Sequence, residues 1–300
     1  MQTVRTPASA RAVSRTLKRP VGFVPTMGAL HAGHLALIDR AREENASVVA
    51  SIFVNPLQFG PGEDFEKYPR AFARDVELLE ERGVDLLYAP PVERMYPAGF
   101  AASVSIGPLG DRYEGARRRG HFTGVSTVVA KLLHAIEPTS LYLGQKDVQQ
   151  TAVLRAMVRD LDMATNVVVA PTVREPSGLA LSSRNVYLTP EQRAAAPSLH
   201  RALRAVADAV ETGETRTKRA LAAGKALLEA PLRWDYLAIV DPVTFVQSDV
   251  AERPSVVIGV AFAGSTRLLD NVPVPSLAGV DPVLTPVRPR ILAAHLRGNR

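Results

Sequence analysis

The sequence contains no cysteine among its 300 residues. Disulfides and thiol chemistry are thereby excluded, in agreement with a reducing cytoplasm. No apolar run approaches the roughly 18 residues of a membrane-spanning helix. Met1 to Arg19 carries charge but lacks the apolar core of a secretory signal. No G-x-x-x-x-G-K is present, and Gly60–Gly62, a G-x-G in a proline-containing loop, lacks a third glycine. Acidic residues are outnumbered, 30 against 36 Lys and Arg, for a net charge of +6. That excess suits phosphorylated or carboxylate partners, nucleic acid included, although many of the arginines sit at the two ends. With 46% hydrophobic and 22% charged residues, the composition is globular and the length suffices for one large or two medium domains.

Short β-branched runs alternate with amphipathic stretches. Val21–Pro25, Ser47–Val54, Val84–Pro90, Ser140–Gly144 and Asn166–Pro171 read as buried parallel strands. His34–Glu44, Ala71–Arg82, Gly124–Ala135 and Asp147–Leu161 read as the helices between them. The alternation predicts an α/β fold with a doubly wound, Rossmann-like parallel sheet over residues 1–172. A smaller α+β domain is expected over 173–272, with helices at Pro190–Glu211 and Thr217–Glu229. Strands follow in "DYLAIVD", "SVVIGVAFAG" and "TRLLDNV". Residues 273–300 read as a loosely packed Pro/Arg-rich tail.

Within "VGFVPTMGALHAGHLALIDRA", His31 and His34 stand where the first of these strands meets a helix. Ligands of open α/β sheets sit beyond the carboxyl ends of the strands. A helix start there attracts anions through its free N–H groups and dipole. Gly28 and Gly33 allow close backbone approach, and the two imidazoles add donors for a phosphate. The histidines could instead cap the helix, or ligate a metal as an i, i+3 pair.

Further blocks narrow the choice. "HAGH" resembles the H-x-G-H signature of nucleotidylyltransferases and class I aminoacyl-tRNA synthetases. The longer "PTMGALHAGH" resembles the pantothenate synthetase (pantoate–β-alanine ligase) family. "SIFVNPLQF", "YPR", "HFTGVSTVVAKL", "GQKDVQQ" and "PTVREPSGLALSSRN" match that family in order, across most of residues 21–272. The resemblance implies ligation of pantoate and β-alanine through a pantoyl adenylate, with release of pyrophosphate and then AMP. It implies catalytic roles for His34, as the family's proton donor, and for His31, Lys146, Ser182, Ser183 and Arg184. It places Met27, Gly28, Ala29, Leu30, His31, Ala32, Gly33, His34, Gly144, Gln145, Lys146, Asp147, Val173, Leu181, Ser182, Ser183 and Arg184 at the ATP site. Gln58 and Gln150 match the pantoate-binding glutamines, and Gln58 also serves β-alanine, with Phe53 and Phe59 as an apolar wall. Mg²⁺ is expected chiefly on the ATP phosphates and water, with Asp75 as a possible ligand. A cytoplasmic homodimer joined through the first domain is implied, without nucleic-acid or membrane partners.

The chemistry agrees with these residue types. Adenylation makes a carboxylate oxygen a good leaving group, and the barrier is charge on the α-phosphate and the departing pyrophosphate. Positioning and electrostatic stabilisation are what the protein must supply. Four positions depart from the family pattern: Gln145 stands for a usual Glu, Leu181 for Met, Ser177 for Asp, and Arg74 for an acidic residue before Asp75. Gln145 keeps open an inactive regulator with an ATP-like fold, and H-x-G-H alone admits another adenylyltransferase. Arg117–Arg119 suggests nucleic acid but lacks interleaved aromatics, and reads as a solvated, mobile loop near the site mouth.

Overall fold

A computed structural model describes residues 1–275 apart from Glu252. Strands β1 (Gln2–Val4), β2 (Val21–Thr26), β3 (Ser47–Ile52), β4 (Leu86–Tyr88), β5 (Ser140–Gly144) and β6 (Asn166–Ala170) form one parallel sheet. Its order is β1-β4-β3-β2-β5-β6. The direction of winding reverses at β2 and β5, so a crevice opens beyond Thr26 and Gly144.

Both faces of the sheet are covered, which is why its strands are apolar runs and not alternating ones. Leu37, Ile38 and Ala41 of helix Ala32–Glu44 and Leu79 of helix Phe72–Glu81 pack on Val24, Val48, Ala50 and Leu87. On the other face, helix His121–Ile136 sets Val125, Val129, Leu132 and Leu133 against Phe23, Val49, Leu86 and Leu141. Leu154 and Met157 of helix Val148–Asp160 join the same core. Helix Pro7–Ser14, with its Thr6/Ser9 capping box, lies on that face too. This helix and β1 lie in the stretch that sequence patterning leaves without elements. A three-residue edge strand and an eight-residue helix carry too little periodicity to be read.

Strands β7 (Arg233–Val240), β8 (Ser255–Ala263) and β9 (Thr266–Val274) form an antiparallel sheet. Leu199, Leu203 and Val206 of helix Pro197–Glu211 pack against Val257, Ala261 and Val272 on one face. The opposite face places Val256 and Ile258 against Val148 and Ala152 of the first domain. The single helix expected over Pro190–Glu211 is two, Pro190–Ala195 and Pro197–Glu211, because Pro197 has no N–H to continue the ladder. The following helix ends at Lys225, short of Glu229. Strand β9 runs through Pro273 and Val274, two residues into the expected tail, whose remainder after Pro275 lies outside the described residues.

Candidate functional site

The turn after β2 is fixed from below. Thr26 Oγ1 donates to the Ser51 carbonyl at 2.7 Å and accepts from the Gly28 N–H at 3.1 Å. Gly28 has φ +81°, and a Cβ there would meet Asp75 Oδ2 at 3.0 Å. Buried Asp75 accepts from the N–H of Ala29 and of Leu30, each at 2.8 Å. Both of its oxygens therefore brace the loop, with Ala29 held at a left-handed φ of 51°.

The two histidines face the backbone and the cleft at once. His31 Nδ1 accepts from the Gly33 N–H at 3.1 Å, and His34 Nδ1 accepts more weakly from the His31 N–H at 3.4 Å. Gly33 leaves the space for this, since a Cβ there would lie 2.9 Å from His31 Cε1. Burial, with a smaller push from the His31 ring, holds His34 down at about 3. Burial and then Lys146 lower His31 as well. Both rings are neutral at pH 7, with Nδ1 as acceptor and the hydrogen on Nε2. The cap and the donor are thus the same residues. Of the helix-start N–H groups expected to attract an anion, that of Gly33 is engaged by the His31 ring and that of His34 by the His31 carbonyl at 2.8 Å. The two rings lie 4.1 Å apart in the lining of the cleft, each with its Nε2–H free of the cap.

Across the crevice, β5 leads into the turn Gln145–Asp147. Asn271 of β9 donates to the carbonyls of Gln145 and Lys146, each at 2.9 Å. Lys146 lines the cleft and lies 3.8 Å from Asp147. Ser182 caps the turn Ser183–Tyr187 by accepting from the Arg184 N–H at 3.3 Å. Ser183 Oγ lies 3.3 Å from the Tyr68 hydroxyl. Arg184 is paired rather than free, with Nε and Nη2 each 2.9 Å from Asp64. Burial acts to lower Arg184 and raise Asp64, but their hydrogen-bonded pairing prevails and moves each the other way.

A cleft of about 270 Å³ joins these groups. Met27, His31, Gly33, His34, Gly144, Lys146, Asp147, Val173, Leu181, Ser182, Ser183 and Arg184 line it, as do Gln58 and Gln150. Gly28, Ala29, Leu30, Ala32, Gln145 and Asp75 are outside that lining. Gln58 accepts from Asn55 Nδ2 and donates to Met27 Sδ, both at 3.1 Å. The apolar wall is Phe53 with Val125, Val128, Val129 and Leu132. Phe59 packs edge-to-face instead with Phe65 and Tyr68, with ring centroids 5.3 and 5.8 Å away.

Sequence reasoning missed Asn55, Arg118, His121 and Arg267 in the lining. Asn55 is buried and receives the Tyr96 hydroxyl at 2.7 Å, and its place in "FVNPLQF" is its only signal. Of the arginines expected in a solvated, mobile loop near the site mouth, Arg117 and Arg119 are exposed and Arg118 lines the cleft, but Arg117 pairs with Asp235 at 2.6 Å and Arg118 with Glu63 at 2.7 Å. Both are ordered by charge contacts that bridge distant segments.

A parallel sheet with paired histidines and a serine–arginine loop around one cleft at its switch point is the arrangement of an α/β protein with a phosphate-facing site at its H-x-G-H motif. Comparison with known proteins gives the family. The sequence model described as pantoate-beta-alanine ligase matches residues 2–273, and the chain belongs to that family. It is 53% identical over 275 residues to a pantothenate synthetase of Chloroflexus aggregans, covering 90% of this chain and 99% of that one. A pantothenate synthetase structure from Thermus thermophilus superposes with a TM-score of 0.86 at 54% identity, over 91% of this chain and 99% of that one. The Francisella tularensis ligase, solved with beta-gamma ATP and β-alanine, gives a TM-score of 0.74 at 33% identity, over 94% and 99%.

Proposed function

We propose that this chain joins pantoate to β-alanine at the expense of ATP, in two steps within the one cleft. A pantoate carboxylate oxygen attacks the α-phosphorus, a new P–O bond forms, and the bond to the β-phosphate oxygen breaks, releasing pyrophosphate. The β-alanine amine then attacks the acyl carbon, loses a proton, and expels AMP. The observation that carries this reading is the pair of neutral imidazoles whose Nδ1 atoms are committed to backbone N–H groups at 3.1 and 3.4 Å. Both residues line the cleft, and this reading assigns their Nε2–H groups to charge developing on the phosphates.

Lys146 and the Ser182–Arg184 segment supply donors from the facing side. For Arg184 to reach a phosphate, its pair with Asp64 must loosen or turn. Gln58 and Gln150 bind pantoate beside the valine-rich wall, which suits a gem-dimethyl group, and Gln58 also serves β-alanine. Mg²⁺ belongs to this reading as a charge neutraliser on the ATP phosphates. Among the described residues no group of three or more His, Asp or Glu is placed to hold it, and Asp147 is the carboxylate in the lining. Asp75, with both oxygens on backbone N–H groups, is better read as the brace of the 28–30 turn than as a metal ligand. The same reading takes residues 1–172 as the ATP- and pantoate-binding domain, 173–272 as a lid, and the enzyme as a cytoplasmic homodimer.

Exchange of labelled pyrophosphate into ATP tests the scheme. With pantoate present and β-alanine absent, exchange is expected. An enzyme that makes pantothenate yet shows no such exchange would refute the adenylate route.

A further inference from the structure

Helix His121–Ile136 opens at the cleft with a histidine to which the reaction scheme gives no task. His121 is buried, and its Nδ1 lies 2.8 Å from the carbonyl oxygen of Gln58. A carbonyl only accepts, so Nδ1 carries the hydrogen and Nε2 is left with its lone pair. That lone pair meets Arg118 Nη1 at 3.0 Å. Arg118 Nη2 donates at 3.2 Å to the same Gln58 carbonyl. Glu63 fixes the guanidinium in turn, with contacts of 2.7 Å to Nε and to Nη2. Burial and then the Arg118 charge hold the His121 ring neutral, at about 4.

Other contacts hold Gln58 from its remaining sides. Asn55 Nδ2 donates to the Gln58 side chain and to the Gly124 carbonyl, both at 3.1 Å. Gly124 itself admits no side chain, since a Cβ there would lie 2.2 Å from the Leu57 carbonyl oxygen. One turn of helix is thus built to receive the Pro56–Gln58 turn at van der Waals distance. The main chain of Gln58 is clamped by two side-chain donors, although a cleft-facing glutamine needs only its side chain for binding.

We propose that His121, in its Nδ1–H form, and Arg118 are positioning residues that clamp the Gln58 carbonyl and so aim its side-chain amide at pantoate. This rests on the reading of Gln58 as a pantoate ligand. It also assigns His121 the opposite tautomer to His31 and His34.

The test uses steady-state kinetics with pantoate and with ATP varied separately. His121→Leu is expected to lower kcat/KM for pantoate on the order of 10²-fold, the scale of a ~1 Å misplacement. Its KM for ATP is expected to move by less than about threefold. His121→Asn, whose Nδ2 replaces the ring Nδ1–H, recovers most of that loss. In a Gln58→Ala background, His121→Leu should add little, because the residue it positions is gone. If His121→Leu does not fold, Arg118→Met serves in its place, with the same selective loss expected. ¹⁵N spectra of the imidazoles should show the Nδ1–H form for His121. A pantoate kcat/KM unchanged in both variants, beside a loss in Gln58→Ala, would overturn the clamp and leave the pantoate site standing. No loss in Gln58→Ala would remove the pantoate reading, and the clamp with it.

Discussion

Gln145 donates its side-chain amide to Oδ1 of Asn271 at 3.1 Å, tying the turn after β5 to the second sheet. Asn271 is buried and its Nδ2 is already engaged by the carbonyls of Gln145 and Lys146, so its oxygen requires a donor. The departure at this position is therefore matched by its partner. Gln145→Glu would set a carboxylate against that oxygen. A loss of about 1–3 kcal/mol in stability is expected from the unsatisfied group, measured by urea unfolding. Turnover should change by less than about tenfold, because Lys146 keeps its place. A gain of several hundredfold would mark the chain as an impaired relative.

Asp75→Asn replaces one of two acceptors with a donor that faces the Ala29 or Leu30 N–H. Looser packing of the turn before His31 is expected, with KM for ATP raised about tenfold or more and a lower melting temperature. Raising Mg²⁺ or Mn²⁺ should not restore the loss. Restoration by metal would return Asp75 to the role of ligand.

Gly124→Ala puts a methyl group where the Leu57 carbonyl lies 2.2 Å away. Overpacking of this kind costs about 1–3 kcal/mol. The Pro56–Gln58 turn must shift, so the expected kinetic signature is a raised KM for pantoate with KM for ATP nearly unchanged. Equal change in both would place the strain elsewhere.

The imidazoles of His34, half-buried at the cleft, and of His121, buried, set a pH dependence of stability. His34 is held at about 3 and His121 at about 4, both by burial first, against an ordinary value near 6.5. Between those limits the unfolded chain binds more protons than the folded one. Their contribution is fully present above about pH 6.5 and is lost as pH falls toward the folded values, at up to about 1.4 kcal/mol per pH unit for each ring. Urea midpoints from pH 7 to 4.5 should fall accordingly. His121→Asn should flatten the slope by one proton's worth, and an unchanged slope would contradict the buried neutral state of that ring.

What the sequence discloses and what it hides divide along contact distance. His31, His34, Lys146 and Ser182–Arg184 sit in short contiguous motifs, because a strand end and a helix start bring near neighbours to one ligand. The parallel strands are legible for a related reason, being buried on both faces and hence apolar throughout. The supports are not. Asn55 and Gly124 are 69 residues apart, Arg118 and Glu63 are 55 apart, and Gln145 and Asn271 are 126 apart. A glycine, an asparagine or an arginine at such places looks like any loop residue until the chain path joins the partners. Phe59 illustrates the converse: its place in a motif suggests the substrate wall, but its ring packs edge-to-face with Phe65 and Tyr68.

The central claim is that His34 acts in adenylation through Nε2–H while its Nδ1 only caps. His34→Asn tests it most directly, since the shorter amide can still cap at the Nδ1 position but has no group at Nε2. Two single-turnover rates are measured: pantoyl adenylate formation from ATP and pantoate, and consumption of supplied pantoyl adenylate by β-alanine. The account predicts a fall of roughly 10²–10³-fold in the first, the loss typical of one preorganised donor. The second rate and the melting temperature should stay near wild type. Equal loss in both half-reactions, accompanied by a lowered melting temperature, would contradict the account and reduce His34 to a helix cap.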